Sequence, residues 1–262
     1  MKQTKLMVLS ATHGVGGARG PIYNIFCRRM KMIREKFDVG MLVVGSEGEI
    51  SRKPTEDNGH FYIEHENNPV SRKWNAGMEA LKEHAPTHVM IMGSDDFVSD
   101  SLIQRFLDII STEKYNVIGI TDSYYCSYNV KRAYFGQCLY WPGYRKPSII
   151  GYCKTMTSDL MDAVGWRPWP DGRNAGLDMA LNRVLQLAGA KQVPFRFYLR
   201  DNDDFHIDIK TRGNISSIAP IVRRSQELDL DVGVLLQKYL PNEIYEDIMT
   251  YIDELKQAYA SR

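Results

Sequence analysis

Apolar runs of strand length recur along the first half of the chain, and segments with a helical period separate most of them. The strand-like runs cover residues 6–11, 39–44, 61–63, 88–92 and 117–120. Apolar residues recur every three to four positions over residues 22–36, 70–84 and 101–110, with Ser99 or Asp100 as the N-cap of the last segment. This alternation predicts βαβ units and a mostly parallel sheet.

The pattern changes after residue 121. Residues 124–144 are aromatic, are interrupted by Gly and Pro, and show no helical period, which predicts a hairpin or long excursion that turns near Asn129. The next predicted elements are a strand at 149–153, a helix at 158–164, a turn-rich loop at 165–176, a helix at 177–188 capped by Gly189, a strand at 192–198 and an acidic loop at 201–204. Residues 225–259 are predicted to be helical, with Pro241 separating two helices.

No internal repeat, low-complexity run or linker divides the chain, so we expect one domain over residues 1–262. Within it, the pattern predicts an α/β half at 1–122, a mixed half at 123–224 and C-terminal helices at 225–262. Hydrophobic residues make up 44% and charged residues 25% of the chain, which excludes disordered, collagen-like and disulfide-scaffold classes. The net charge of +1 gives no general case for binding a polyanion.

The cysteines and the apolar runs bear on the compartment. The four cysteines form no CxxC pair and match no zinc-site spacing, so we expect free thiols in a reducing environment. No apolar run reaches the roughly 18 residues of a membrane-spanning helix. The run at 6–11 is too short for a signal-peptide core. These features predict a soluble, cytoplasmic protein without membrane insertion.

The strongest chemical signal is the apolar strand that ends in Gly93–Ser94–Asp95–Asp96. Two adjacent carboxylates at a strand end repel each other unless a cation or a proton lies between them. In open α/β sheets, ligands bind outside the carboxyl ends of the strands. Hard divalent cations prefer oxygen ligands, and a diphosphate can complete their coordination shell. The acids therefore fit a Mg²⁺ or Mn²⁺ diphosphate site, the alternative being a solvated turn in which an Asp caps the next helix.

Three further motifs accompany these acids, one before them and two after them along the chain. They are the segment NPVSRKWNAG at 68–77, the segment GWRPW at 165–169, and Gly176–Leu177–Asp178 at a helix start. Together with the strand-end acids they resemble the GT-A glycosyltransferases, in particular family 2, over about residues 6–189. The sequence departs from that pattern at Ser94, which stands where a first Asp is expected and leaves that role to Asp95.

The resemblance implies a GT-A, Rossmann-like α/β fold with a small mixed acceptor subdomain and a helical C-terminal tail. It implies a metal-dependent, inverting transfer from a nucleoside-diphosphate sugar of the UDP type to a hydroxyl acceptor, with Mn²⁺ or Mg²⁺ as cofactor. Asp178 would be the catalytic base, the alternative being an acid that stabilises a helix N-terminus. The residues implied for the nucleotide-sugar are Ala11, Thr12, Arg19, Glu47, Lys73, Asn75, Ser94 and Asp95.

The metal ligands implied by the resemblance are Asp96 and His206, with Asp208 as the alternative to the histidine. A lone histidine is also often structural, and Lys210 could reach a phosphate. For Glu47 and Asn75, turn or cap chemistry explains the residue as well as nucleotide binding does.

The aromatic stretch offers an acceptor surface. Aromatic rings stack on sugars or unstacked bases, and cations between them could meet a phosphate. Packing inside a hairpin core is the alternative. The candidate acceptor-binding residues are Tyr128, Lys131, Arg132, Trp141 and Trp169.

The acceptor and the reaction class both leave alternatives open. A saccharide or glycan is one candidate acceptor. A hydroxymethylated base in DNA is another, because the chain also looks like short bacteriophage enzymes that modify such bases. A nucleotidyltransferase is a second reaction class, although the Gly-rich loop at 14–20 carries Arg19 without the usual Lys. A non-catalytic module that binds carbohydrate or nucleic acid is the third class.

Overall fold

A computed structural model describes residues 5–112, 115–128, 135–143, 149–188, 195–211, 225–228 and 231–261. In that part of the chain the strands form two sheets of seven and five strands. The strands of the larger sheet are β1 (Leu6–Ala11), β2 (Gly40–Gly45), β3 (Phe61–Glu64), β4 (His88–Gly93), β6 (Val117–Ile120), β9 (Lys154–Thr157) and β10 (Phe195–Phe197). The strands of the smaller sheet are β5 (Asp96–Val98), β7 (Ser123–Ser127), β8 (Cys138–Trp141), β11 (His206–Lys210) and β12 (Gln226–Glu227).

The larger sheet has the order β10-β6-β9-β4-β1-β2-β3. Its neighbours pair in parallel except around β9, which is antiparallel to both β4 and β6. The prediction of a mostly parallel sheet is confirmed. From β1 the chain winds outward through β2 to β3 and then returns to the other side of β1 as β4. The strand order therefore reverses between β1 and β4, and such a reversal opens a crevice at the carboxyl ends of the two strands.

Helices cover both faces of this sheet. They are α1 (Gly20–Phe37), α2 (Glu49–Asp57), α3 (Val70–Leu81), α4 (Asp100–Thr112), α5 (Ser158–Ala163), α6 (Leu177–Leu187), α7 (Val232–Tyr239) and α8 (Asn242–Ala260). Successive side chains of a strand point to opposite faces. Leu6 and Val8 accordingly join the core under α1, α4 and α8, whereas Met7 and Leu9 join the core under α3, α5 and α6.

Two local contacts explain how helices α3 and α4 are seated. Gly77 lets α3 approach the sheet, because a Cβ at this position would lie 2.4 Å from Val44 and 2.7 Å from Leu9. Ser99 caps α4, since its Oγ accepts a hydrogen bond of 3.2 Å from the Leu102 amide. The prediction that Ser99 or Asp100 caps this helix is confirmed, with Ser99 as the capping side chain.

Several sequence predictions differ from the structure. Helix α2 was not expected, because it buries only Ser51 and Thr55 and so shows no apolar stripe. The strand expected at 149–153 lies instead at Lys154–Thr157. Residues 226–227 form a short strand where a helix was expected. The hairpin is confirmed, since β7 and β8 pair antiparallel, but its turn near Asn129 and the Gly189 cap lie outside the described residues.

Within the described ranges, no helix has the length and apolar character needed to cross a bilayer.

Candidate active site

Three buried aspartates meet where the chain passes from one sheet to the other. Asp95 follows β4, and Asp96 opens β5, which pairs antiparallel with β11 and places Asp208 opposite Asp96. One carboxylate oxygen from each of the three lies within 4.8 Å of the others. The three residues are 5%, 1% and 0% exposed, in chain order. The cluster therefore sits at the crevice that the reversal of strand order opens between β1 and β4.

The charges of this cluster are incompletely matched. The Gly93 amide donates to Asp96 Oδ2 over 2.5 Å, whereas Asp96 Oδ1 has no hydrogen-bond partner among the described residues. Asp208 forms an ion pair with Lys210. Burial raises the pKa of Asp208 to about 7, with the charges of Asp95 and Asp96 acting in the same direction and Lys210 opposing them. A cation bound between the carboxylates would relieve this repulsion, so the donor set fits a hard divalent metal.

His206 lies at the edge of the same cluster. Its Nδ1 is 2.6 Å from Ser123 Oγ, and its ring stacks on Tyr152 with 5.0 Å between centroids. Its Nε2 lies 3.6 Å from Asp96 Oδ1 and makes no hydrogen bond within the described part of the chain. Both alternatives for the third ligand, His206 and Asp208, thus face Asp96, and which of them binds metal stays a prediction.

The acid cluster has two further neighbours, Lys210 and Tyr152. From the sequence, we expected Lys210 only as a contact for a phosphate, and we did not expect Tyr152. His206, Asp208 and Lys210 occupy alternate positions of β11, and alternate residues of a strand share one face. That alternation was a readable signal for Lys210. Tyr152 gave no comparable signal, because it belongs to a turn that reaches the cluster only through the tertiary fold.

The Gly-rich loop after β1 brings Arg19 onto the acids. Arg19 Nη2 donates to Ser94 Oγ over 2.8 Å and lies 3.3 Å from Asp95 Oδ1. The start of the loop is held by Glu47, whose carboxylate accepts from the Val15 amide at 2.7 Å and the Gly16 amide at 3.3 Å. These contacts of Glu47 agree with the alternative of turn chemistry, and nucleotide binding by Glu47 stays a prediction.

Lys73 lies between the ends of β1 and β2. Its Nζ donates to the Thr12 carbonyl, to Ser46 Oγ at 3.0 Å and to Asn67 Oδ1 at 3.3 Å. Burial lowers the pKa of Lys73 to about 8. Ala11 ends β1 opposite Gly93 and Val44, and the Thr12 amide donates to the Val44 carbonyl over 2.9 Å. Lys73 therefore places a buried positive charge at the ends of β1 and β2.

The side chain of Asn75 contacts the loop at 165–176. Its Nδ2 donates to the Trp169 carbonyl at 2.7 Å, and its Oδ1 accepts from the Trp169 amide at 3.1 Å. Ser71 adds two bonds to Arg173, one through its amide at 2.9 Å and one through its Oγ at 3.0 Å. Helix α3 therefore fastens this loop to the sheet, and the Asn75 amide group is used in that contact.

Asp178 opens α6 directly after the loop. Its Oδ1 forms an ion pair with Lys154, whose Nζ also donates to Asn182 Oδ1 over 2.8 Å. Lys154 is fully buried on β9, where it pairs with Ile91 of β4. The side chain of Asp178 is 24% exposed, so solvent reaches it. Strand β9 thereby ties Asp178 to the strand that ends in the acid cluster.

The aromatic candidates for acceptor binding are packed inside the protein. Tyr128 is 2%, Trp141 7% and Trp169 4% exposed, and all three belong to the hydrophobic cores. This burial agrees with the core-packing alternative. Lys131 and Arg132 lie outside the described residues. Acceptor binding by these five residues stays a prediction.

Comparison with known proteins finds solved structures with a similar fold. No family model and no curated protein matches the sequence. A solved structure of S. aureus TarS 1–349 in complex with UDP-GlcNAc matches with a TM-score of 0.56 at 14% identity, over 82% of this chain and 61% of that one. The same fragment in complex with UDP matches with a TM-score of 0.53 at 13% identity, over 79% of this chain and 60% of that one.

The chain has a GT-A glycosyltransferase-like fold. It spans about three fifths of the TarS fragments that it matches. A 4-diphosphocytidyl-2C-methyl-D-erythritol synthase from Anaerococcus prevotii also matches, with a TM-score of 0.51 at 10% identity, over 84% of this chain and 97% of that one. The fold predicted from the resemblance is confirmed, and the GT-A-like fold is shared with enzymes of more than one reaction type.

Proposed function

We propose that this protein is a metal-dependent glycosyltransferase that moves a sugar from a UDP-type nucleotide sugar to a hydroxyl acceptor with inversion. The observation that carries the proposal is the buried cluster of Asp95, Asp96 and Asp208 at the strand-order reversal of a GT-A-like fold. Buried carboxylates with an unpartnered oxygen at this position favour a cation and the diphosphate that the cation would hold.

Asp96 and Asp208 would hold Mn²⁺ or Mg²⁺, with Asp95 or His206 beside them. When bound, the metal would offset the negative charge that develops on the departing diphosphate. Arg19 and Lys210 would contribute fixed positive charge at the same place, since both already contact the acids. Ser94 would hold the Arg19 guanidinium in place through its hydroxyl.

The donor nucleotide would lie along the ends of β1 and β2. There, Lys73 donates hydrogen bonds to the Thr12 carbonyl and to Ser46, so the three residues form a polar cluster. The Lys73 ammonium would contact an oxygen of the nucleotide. Glu47 and Asn75 would act indirectly, because Glu47 shapes the Gly-rich loop and Asn75 fastens the loop at 165–176.

Asp178 would accept the proton of the acceptor hydroxyl as that oxygen attacks the anomeric carbon. Attack from the face opposite the diphosphate inverts the anomeric centre. The support is its position: Asp178 is reached by solvent, Lys154 orients one of its oxygens, and β9 fixes it relative to β4. A carboxylate within hydrogen-bond reach of the hydroxyl can perform this step.

The four cysteines Cys27, Cys126, Cys138 and Cys153 are free and buried, which supports a reducing, cytoplasmic setting.

The acceptor would be a saccharide or glycan, or a hydroxymethylated base in DNA. The acceptor classes are separated by offering each with several nucleotide sugars and Mn²⁺, then measuring the added hexose or pentose mass. Mass on nucleosides from hydroxymethylcytosine DNA would support the base, and mass on an oligosaccharide would support the glycan.

The reaction class is tested by the product that leaves the donor. We expect slow release of UDP from UDP-sugars with Mn²⁺, with loss of this release in excess chelator. Absence of nucleoside-diphosphate release from every common nucleotide sugar would contradict glycosyl transfer.

One observation favours nucleotidyl transfer as a second candidate. Arg19 reaches the acid cluster from a Gly-rich loop after the first strand, the place where nucleotidyltransferases carry a basic signature. Release of pyrophosphate from a nucleoside triphosphate and a sugar phosphate would support this candidate. Release of a nucleoside diphosphate would support the first.

A further inference from the structure

The C-terminal helix α8 contacts the Gly-rich loop next to the candidate active site through the hydroxyl of Tyr251. Its apolar stripe, which includes Ile244, Ile248 and Ile252, packs into the core that α1 shares. Tyr251 belongs to the same stripe and is 5% exposed. Its hydroxyl emerges from this apolar contact and donates a hydrogen bond of 2.5 Å to the carbonyl of Ala18.

Ala18 directly precedes Arg19 in the Gly-rich loop. Glu47 holds the start of that loop through the Val15 and Gly16 amides, and Tyr251 holds its end. The loop also folds back tightly where it enters α1, since a Cβ at Gly20 would lie 2.6 Å from the Val15 carbonyl oxygen. An anchor from α8 thus meets the residue next to Arg19, whose guanidinium contacts Ser94 and Asp95.

The same phenol also contacts the strand that carries Lys210. The side chain of Thr211, the residue after Lys210, hydrogen-bonds with Tyr251. Burial raises the pKa of Tyr251, so its hydroxyl keeps its proton and remains a donor. One phenol thus joins the segments that carry Arg19 and Lys210, and each of these two cations contacts the acid cluster.

We propose that Tyr251 is a positioning residue of the donor site, which holds the Gly-rich loop so that Arg19 reaches the acid cluster. The phenol acts through the loop and does not touch the donor. Its removal leaves the Ala18 carbonyl without this donor and frees the end of the loop, so Arg19 loses its fixed position. The consequence for donor binding rests on the proposed function, whereas the consequence for loop order does not.

The test compares Tyr251→Phe, which removes only the hydroxyl, with Tyr245→Phe, which removes the hydroxyl of a partly buried tyrosine on the same helix. Hydrogen exchange of the ligand-free proteins is followed in the peptide that covers residues 14–20. Binding of UDP in MnCl₂ is measured by calorimetry well below the unfolding midpoint, where both variants are fully folded. We expect Tyr251→Phe to speed exchange in this peptide at least five-fold and to raise the Kd of UDP about ten-fold, with Tyr245→Phe unchanged.

A double-mutant cycle separates positioning from a general loss of packing. If Tyr251 acts through Arg19, then Tyr251→Phe changes the Kd less than two-fold once Arg19→Gln is present. Equal and additive effects in both backgrounds would overturn the proposal, as would normal exchange in Tyr251→Phe or an equal effect of Tyr245→Phe. Failure of the unmodified protein to bind UDP would instead contradict the proposed function, and the exchange measurement would still decide the role of Tyr251.

Discussion

Asp96 and Asp208 lie directly opposite each other on the antiparallel strands β5 and β11, and both side chains are fully buried. Like charges in directly opposed positions destabilise a strand pair. Lys210 contacts only Asp208 of this pair, and Asp96 Oδ1 is left without a hydrogen-bond partner among the described residues. A strand pair that keeps such an arrangement is suited to a bound cation.

The variant Asp96→Asn removes one of the opposed charges and keeps the shape of the side chain. We expect the metal-free variant to unfold at a higher temperature than the unmodified protein, because repulsion is removed. Mn²⁺ at about 100 times its Kd should raise the free energy of unfolding of the unmodified protein by about 2.7 kcal/mol. The same concentration should raise the free energy of unfolding of the variant much less. Thermal unfolding with and without Mn²⁺ measures both effects, and equal stabilisation of the two proteins would exclude Asp96 as a ligand.

The variant Asp178→Asn tests the base. The amide keeps the shape of the carboxylate but cannot take the acceptor proton, so kcat should fall by about two to four orders of magnitude. The Kd of UDP in MnCl₂ should stay within about two-fold of the unmodified value, since the proposed donor contacts lie elsewhere. Asn182→Leu, which removes the other partner of Lys154, is the matched control. A parallel fall in binding and turnover would make Asp178 a structural residue.

The Lys73 ammonium should give nucleotide binding a pH dependence. Burial lowers the pKa of Lys73 to about 8, so the free protein loses this positive charge as the pH rises above that value. If the ammonium meets an oxygen of the nucleotide, the Kd of UDP should rise by up to about ten-fold per pH unit above pH 8. Lys73→Met should bind more weakly at neutral pH and lack this rise. Calorimetry between pH 7 and pH 9 compares the two, and identical profiles would rule out the contact.

His60 should make the fold sensitive to mild acid. Burial lowers its pKa to about 4 from an ordinary value of 6.5, although its hydrogen bond to the Cys27 carbonyl acts in the opposite direction. Between these two values the unfolded chain binds a proton that the folded protein does not, so stability falls as the pH is lowered. We expect a loss of roughly 1.5 kcal/mol between pH 6.5 and pH 5, because the slope approaches about 1.36 kcal/mol per pH unit only well below pH 6.5.

Urea unfolding of the unmodified protein and of His60→Gln at several pH values measures this contribution. The variant should show a shallower loss of stability over the same interval. A loss of equal slope in both proteins would assign the acid sensitivity to other groups.

Much of the fold could be predicted from local patterns. The apolar runs and helical periods lie within a few residues of β1, β2, β4 and β6, because strands buried between two helical layers are apolar along their whole length. The acids at the end of β4 could also be recognised, because they interrupt an apolar strand. Helix α2 could not be predicted in this way, since it buries two polar residues and has no apolar stripe.

The partners of the site residues were decided by the tertiary structure alone. The side chain of Asn75 bonds a residue 94 positions away, and the hydroxyl of Tyr251 bonds one 233 positions away. A residue type and its neighbours specify which bonds a side chain can make, but the packing of the sheets decides which partner comes within reach. The sequence by itself therefore determined strands β1 to β4 and β6, most of the helices and the place of the first two acids. The pairing of β5 with β11 brought Asp208 to them, because antiparallel register, not sequence proximity, sets which carboxylates face each other.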